Sequence, residues 1–326
     1  TSEGAIVYTG EFKFDQSAKG KYRPDIAKMA ALGEEGVFIL MSDSTEAEKE
    51  GYTLSENVVK TRLEKTFHKA EGRILVALYA SNFIRIQQVF DQAIASGRKV
   101  AIVGRSLETI FEVGMRLGYL EIDSEKIIPV NKMSDYEDNE IVAIITGNQG
   151  EPLEGLEKII RKHHRDLRIK QNDTVLITFT PSPSMEVQMA DTMNELSKLG
   201  AKVFSADKKV HVSGHGSQED LKLMLNLMQP KYFIPIQGEY RMLITHSKLA
   251  QDVGLQKSQI FIADKGDIVE YKNGKMRMAG RVTAGNVLID GIGVGDVGNI
   301  VLRERKLLSQ DGIFIVVVTL NRAQKK

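Results

Sequence analysis

The sequence contains neither cysteine nor tryptophan. Without Cys there is no disulfide, no thiolate nucleophile and no Cys-ligated zinc, the usage expected of a protein kept in a reducing cytoplasm. An excess of either charge is also lacking, since 44 Lys plus Arg stand against 43 Asp plus Glu. Bulk electrostatics therefore gives no argument for nucleic acid, and any such site must be a local patch. No apolar run approaches the roughly 20 residues that span a bilayer, and no basic-then-apolar leader opens the chain. Internal repeats and low-complexity segments are missing too. These absences predict a soluble, cytoplasmic protein with no membrane partner.

What is present is enough chain for two cores, because a single core stops growing well below 326 residues. From residue 73, short β-branched runs alternate with longer amphipathic ones. Ile74–Leu78 is followed by 82–96, Val100–Val103 by 106–117, Ile141–Ile145 by 153–164 and Thr174–Thr178 by 184–199, ahead of Lys202–Ser205. Strand and helix in alternation predict parallel βαβ units between about 60 and 210. After 211 the texture changes to a helix over 217–228 stopped by Pro230, a strand over Tyr232–Ile236, a helix around 240–253, and then short Gly-rich strands with an antiparallel share. The seams fall near 52–60 and 206–216, so the middle reads as an insertion into a split outer domain. Both ends are strand-like, Ala5–Tyr8 and Gly312–Leu320, and a strand needs neighbours; the chain is expected to be a piece of something longer.

Functional groups in open α/β sheets gather where strands end. Four exits are polar: Ser42-Asp43-Ser44-Thr45, Ser81-Asn82, Thr146-Gly147-Asn148-Gln149-Gly150-Glu151, and Pro181-Ser182-Pro183-Ser184. Hydroxyls, amides and close-approaching Gly backbone suit phosphate oxygens there, although each exit alone also fits an ordinary helix cap. The sharpest segment is His211-Val212-Ser213-Gly214-His215-Gly216-Ser217, with Asp220 three residues beyond Ser217. That spacing predicts a capping box and a helix start just after His215. The positive end of that helix favours phosphate and His215 can give a proton to a leaving oxygen, though two histidines four apart are also compatible with simple packing. A metal site is hard to build, because the six histidines form neither H-x-H nor H-E-x-x-H. His163 and His164 lie in a basic run that reads as a solvated helix end, and only Glu11 is placed like a carboxylate at a strand exit. Gly293-Val-Gly-Asp-Val-Gly298 matches G-x-G-x-x-G but leads into another strand-like run, which reads as a tight turn.

The ordered set Thr9–Asp15, Ser42–Thr45, Ala80–Ile86, Thr146–Pro152, His211–His215 and Pro235–Tyr240 resembles the bacterial ribonuclease J family across nearly the whole chain. The resemblance implies an α/β chain: a partial metallo-β-lactamase αββα sandwich with an inserted Rossmann-like β-CASP domain of parallel βαβ units. Residues 1–55 and 216–300 would form the metallo-β-lactamase-type domain without its N-terminal half, 56–215 the β-CASP domain, and 301–326 a final strand and the start of a linker to a further domain. It implies RNA as substrate, 5′-to-3′ exonuclease and possible endonuclease activity in rRNA maturation and mRNA turnover, and homo-oligomers or hetero-oligomers of two paralogues. On this resemblance Asp43 is the acidic β-CASP residue and His215 the histidine that assists the leaving group. Ser81, Asn82, His211, Val212, Ser213, Gly214 and His215 are then the RNA phosphate contacts.

The family uses zinc or manganese, and here the sequence departs from its pattern. Glu11 stands where the family has a bridging Asp, and Gln237 where it has a His ligand; a neutral amide replaces imidazole poorly on zinc. The family's main motif, H-x-H-x-D-H, would precede Thr1. The metal is therefore expected to be absent or partial, which resembles the weakly active paralogue of the pair, serving an active partner. Two other readings remain at this point: a fully competent metal-dependent ribonuclease when full length, and a Rossmann-like nucleotide-binding module.

Overall fold

The computed structural model describes residues 1–147, 150–181, 185–205 and 209–285, with residues 289–290, 293–294, 301, 303–305 and 307–308. They divide into two compact units, Thr1–Ile262 and Ala263–Lys326. This division differs from the expected one, which ran a single domain on to residue 300. The expected strand Gly312–Leu320 lies outside the described residues, as do Asn148, Gln149 and Ser182–Ser184 of two strand exits.

The first unit begins with β1 (Ala5–Tyr8), α1 (Ile26–Gly36) and β2 (Val37–Asp43). Asp25 caps α1, its side chain accepting from the Lys28 N–H at 3.1 Å. The chain then leaves for a second sheet through α2 (Glu56–Lys69), β3 (Ile74–Ala77), α3 (Phe83–Ala95), β4 (Lys99–Val103), α4 (Arg105–Arg116) and β5 (Ile127–Ile128). It continues through β6 (Ile141–Ile145), α5 (Pro152–Ile160), β7 (Thr174–Ile177), α6 (Glu186–Lys198) and β8 (Lys202–Phe204). It returns through α7 (Gln218–Met228), β9 (Tyr232–Ile236) and α8 (Tyr240–Asp252). The helix expected over 153–164 stops at Ile160, and Lys162 takes a left-handed φ of 60°, so His163 and His164 lie past the helix end.

The first sheet has the order β1-β2-β9, all parallel. Leu40 and Phe233 on one face pack with Met224, Leu225, Met228 and Ala250 of α7 and α8, and with Met29 and Leu32 of α1. Alternation puts Ile6 and Tyr8 on the other face, where they are 50% and 60% exposed.

The second sheet is six-stranded and wholly parallel, in the order β5-β4-β6-β3-β7-β8. Its central strands are continuous apolar runs because helices cover both faces. Residues of α2, α3 and α4 share one core with Ile74, Val76, Val100 and Val142. Residues of α5 and α6 share the other with Leu75, Ala77, Ala101 and Ala143. The fourth strand of this set lies between the second and the first, whereas the dinucleotide-binding order keeps first and second adjacent. At the amino end of β3, the buried Arg73 guanidinium pairs with Asp173, Nε donating to Oδ1 at 2.9 Å and a terminal nitrogen to Oδ2 at 2.7 Å.

The two crossings between the sheets are tied by Asp220, which is fully buried. Its Oδ1 accepts from the Phe14 N–H at 3.2 Å, and its Oδ2 from the N–H groups of Thr53 at 2.8 Å and Ser217 at 3.1 Å. Loop, outgoing chain and returning chain thus meet on one carboxyl group.

In the second unit, β10 (Asp267–Lys272) and β11 (Lys275–Arg281) form an antiparallel hairpin. Asn273 and Gly274 turn it with φ of 52° and 77°, the pair of positive angles that a tight hairpin turn requires. The short β12 (Ile289–Asp290) pairs antiparallel with β13 (Gly293–Val294). The rest of the G-x-G-x-x-G segment lies outside the described residues.

Candidate functional site: a buried acid and a histidine at the crossing

The site forms where β1 and β2 end and the returning chain passes them. Thr9 follows β1; its hydroxyl donates to the Gly10 carbonyl at 2.7 Å and accepts from the Asp43 N–H at 3.2 Å. Asp43, the last residue of β2, is 1% exposed. Its Oδ1 accepts from the Thr45 N–H at 3.0 Å and the Thr45 hydroxyl at 2.6 Å, which leaves Oδ2 for the Nδ1–H of His215 at 2.6 Å. Residues 172 apart in sequence are thereby placed in contact.

Burial alone would raise the Asp43 carboxyl, but the hydrogen bonds from His215 and Thr45 outweigh it and hold the group below the usual carboxylate range. The hydrogen bond to Asp43 raises His215 above the ordinary imidazole range; burial opposes this, while the charges of Asp43, Glu11 and Glu46 reinforce it. With Nδ1 committed to Asp43, Nε2 of the quarter-exposed ring is the nitrogen left to face a ligand, and it donates whenever the ring is charged. His215 sits ahead of α7, and the expected capping box is present, the Ser217 and Asp220 side chains each accepting from the other's end of the turn. Thr53 fixes the loop further: its hydroxyl donates to the His215 carbonyl at 2.8 Å and accepts from the Ser217 N–H at 2.8 Å.

The other expected phosphate contacts are distributed unevenly. Ser213 Oγ accepts from the His215 N–H at 3.1 Å, and Gly214 is exposed with open space about its Cα. Val212 is buried in the core of the second sheet, so only its backbone can reach a ligand. Asn82 caps α3, its Oδ1 accepting from the Arg85 N–H at 3.0 Å, beside an exposed Ser81. His211 Nδ1 lies 3.0 Å from the Thr178 carbonyl and must therefore be the donor. Burial, with the neighbouring Arg85 cation, lowers His211 to about 4, so at neutral pH its Nε2 is an acceptor and not a phosphate donor.

Four residues that the sequence reading did not assign support this arrangement. Arg85 is fully buried, donating to the Val210 carbonyl at 2.8 Å and to Glu56 Oε2 at 2.6 Å, while Lys13 reaches Glu56 Oε1 at 2.9 Å. Burial would raise Glu56, but the Arg85 and Lys13 cations hold it low. His246, fully buried, meets the Ser44 hydroxyl through Nδ1 at 3.0 Å and is pushed down by burial to about 3. A polar residue followed by a helix start marks Asn82 and Ser217, but nothing in the sequence marks Arg85 as a buried cation.

Glu11 is exposed, near enough to bear on His215. Gln237 is exposed, with a left-handed φ of 56°. Among the described residues no group of three or more His, Cys, Asp or Glu is assembled for a metal ion. The zinc or manganese that the resemblance implies does not fit this donor set: His215 is committed to Asp43, Gln237 offers a neutral amide, and Glu11 is a lone carboxylate.

A two-sheet α/β fold with an acid–histidine pair at the crossing defines a protein of the metallo-hydrolase class with an inserted β-CASP domain. Residues 71–196 match the family described as "Ribonuclease J, beta-CASP domain", and residues 205–262 the "Zn-dependent metallo-hydrolase RNA specificity domain". Over all 326 residues the chain is 52% identical to "Ribonuclease J 2" of Staphylococcus saprophyticus and 51% identical to proteins of that name from Staphylococcus epidermidis and Staphylococcus aureus. In each case it covers 58% of the relative's length. The chain belongs to the ribonuclease J family. No helix among the described residues is long and apolar enough to cross a membrane.

Proposed function

We propose that this chain is the central part of a ribonuclease J-type RNA processing and decay factor, built of a metallo-β-lactamase-type domain, 1–55 with 216–300, and an inserted β-CASP domain, 56–215, and acting on RNA. The observation that carries the reading is the 2.6 Å contact between Asp43 and His215. A phosphodiester hydrolysis must deliver a proton to the oxygen that leaves phosphorus, and a positioned general acid contributes roughly 10²–10⁴-fold to such a step. His215, charged through Asp43 and presenting Nε2–H at the α7 N-terminus, has the chemistry of that acid. The helix dipole and the backbone at the exposed Gly214 favour the phosphate it would serve. Ser81 and Asn82 would contact a neighbouring phosphate.

The donor set points to a weak hydrolase. Its role would be to bind RNA in a homo-oligomer, or in a hetero-oligomer with an active ribonuclease J paralogue, in the cytoplasm, turning over messenger RNA and maturing ribosomal RNA. The test compares metal content and cleavage of a 5′-monophosphorylated RNA by the full-length protein, with and without Gln237→His. Wild type should be metal-poor and slow while the variant gains metal and rate. A wild type that is already metal-loaded and fast would overturn the depleted-site reading.

A further inference from the structure

The second sheet has a crevice that the RNA reading does not use. Strands β4 and β6 are neighbours, yet the helices that follow them, α4 and α5, cover opposite faces. The chain parts in opposite directions at their carboxyl ends, which is where open α/β sheets bind ligands. A cavity of about 510 Å³ lies there, lined by Gly104 and Thr146 at the strand ends, Glu108 of α4, Lys158 of α5, Val130 and His164. That volume lies within the roughly 300–1,000 Å³ of small-molecule sites.

Its wall is built for close backbone approach. Gly104 has a φ of 127°, and a Cβ there would lie 2.7 Å from the Thr146 carbonyl oxygen; a Cβ on Gly155 would lie 2.7 Å from the Thr146 carbonyl carbon. Neither α4 nor α5 has a side chain capping its N-terminus, although the Leu107 and Glu108 N–H groups turn back on the Gly104 carbonyl and α5 opens with Pro152, which has no N–H. Thr146 itself is 3% exposed, and its hydroxyl has no hydrogen-bond partner among the described residues. Beyond the helix end, His164 Nδ1 accepts from the N–H groups of Asp166 and Leu167 at 3.3 and 3.1 Å. Burial lowers the ring's pKa, so it is neutral with its proton on Nε2, a fixed donor.

We propose that this crevice is a binding site for a mononucleotide, separate from the Asp43–His215 site. The phosphate would take Lys158 as counter-charge, with the Thr146 hydroxyl and the His164 Nε2–H as donors and the positive end of α4 behind it. Lys158 is now paired with Glu154 at 2.7 Å one helical turn away, both side chains 40% exposed, an exchangeable surface pair. Glu108 is the acceptor for ribose hydroxyls, the role an acidic residue plays in dinucleotide sites. Pro129 and Val130 supply an apolar wall for the base.

The test is calorimetric titration of the full chain with adenosine 5′-monophosphate, with adenosine and inorganic phosphate as the two halves of the ligand. The nucleotide should bind saturably and more tightly than either half. Lys158→Ala and His164→Gln, both at half-buried positions and checked for folding by circular dichroism, should each weaken it about tenfold, the effect of losing one charge-assisted hydrogen bond. His215→Gln should leave it unchanged, so the failure of the RNA reading would not touch this one. In the wild type, amide shifts should move at Gly104, Gly147 and Gly155. Absence of saturation, phosphate binding as tight as the nucleotide's, or loss of binding in His215→Gln with no effect of Lys158→Ala would each overturn the proposal.

Discussion

Replacing Asp43 by Asn removes one charge and keeps the shape of the side chain. Two donors from Thr45 already face Oδ1, so the amide oxygen must stay there and the amide NH2 must turn to His215. Nδ1 of His215 then becomes an acceptor, which only the neutral ring can be. The interaction lost is a charge-assisted hydrogen bond, about 1.5–3 kcal/mol. For a ring that is a quarter exposed the lower end applies, close to a tenfold change in its protonation equilibrium. Nitrogen-detected NMR of the imidazole rings reads this directly, with His211, whose neighbours Arg85, Glu56 and Lys13 are unchanged, as the internal reference. The His215 midpoint should fall in Asp43→Asn while that of His211 stays; His246, which also feels the Asp43 charge, should fall with it.

Stability follows with a definite sign. His215 is raised in the folded state, so its contribution is fully present below the ordinary imidazole value of 6.5 and is lost as pH rises through the folded value. Asp43 is lowered, so its contribution is present above 3.8 and lost as pH falls through its folded value. Denaturant unfolding should therefore show the largest difference between wild type and Asp43→Asn at pH 5 to 6, shrinking towards pH 9. An unmoved His215 midpoint, or a difference that grows with pH, would refute the reasoning.

Two further outcomes test the scaffold. Asp173→Ala strands the buried Arg73 guanidinium and should cost about 3–5 kcal/mol in urea unfolding, because an unpaired buried charge is left behind. Gly155→Ala drives a methyl group into the backbone of Thr146 and should cost about 1–3 kcal/mol, seen as a lower midpoint at unchanged slope.

The βαβ alternation was legible because buried parallel strands are continuous β-branched runs, and Ile74–Ala77, Val100–Val103 and Ile141–Ile145 each stand out between amphipathic segments. Their order in the sheet was not, since such runs look alike and nothing local tells β6 to lie between β4 and β3. Helix α1 went unplaced because it has no fully buried residue to mark a face, and it is held by packing against α7. At the site, the Ser217–Asp220 spacing announced a helix start but not that Asp220 also receives Phe14 and Thr53. The roles expected of Asp43 and His215 came through family resemblance, and their contact was not legible at all, because no periodicity links residues so far apart.

The knot at Asp220 bears on how the protein can open. Three segments share one buried carboxyl group, so swinging the inserted sheet away at its root would strip several hydrogen bonds from a group that cannot reach water. At about 1 kcal/mol for each of the three bonds lost, such an opened form would be populated at roughly one molecule in a hundred or fewer. The inserted sheet is therefore held at its root by a single buried group and has no easy way to lift.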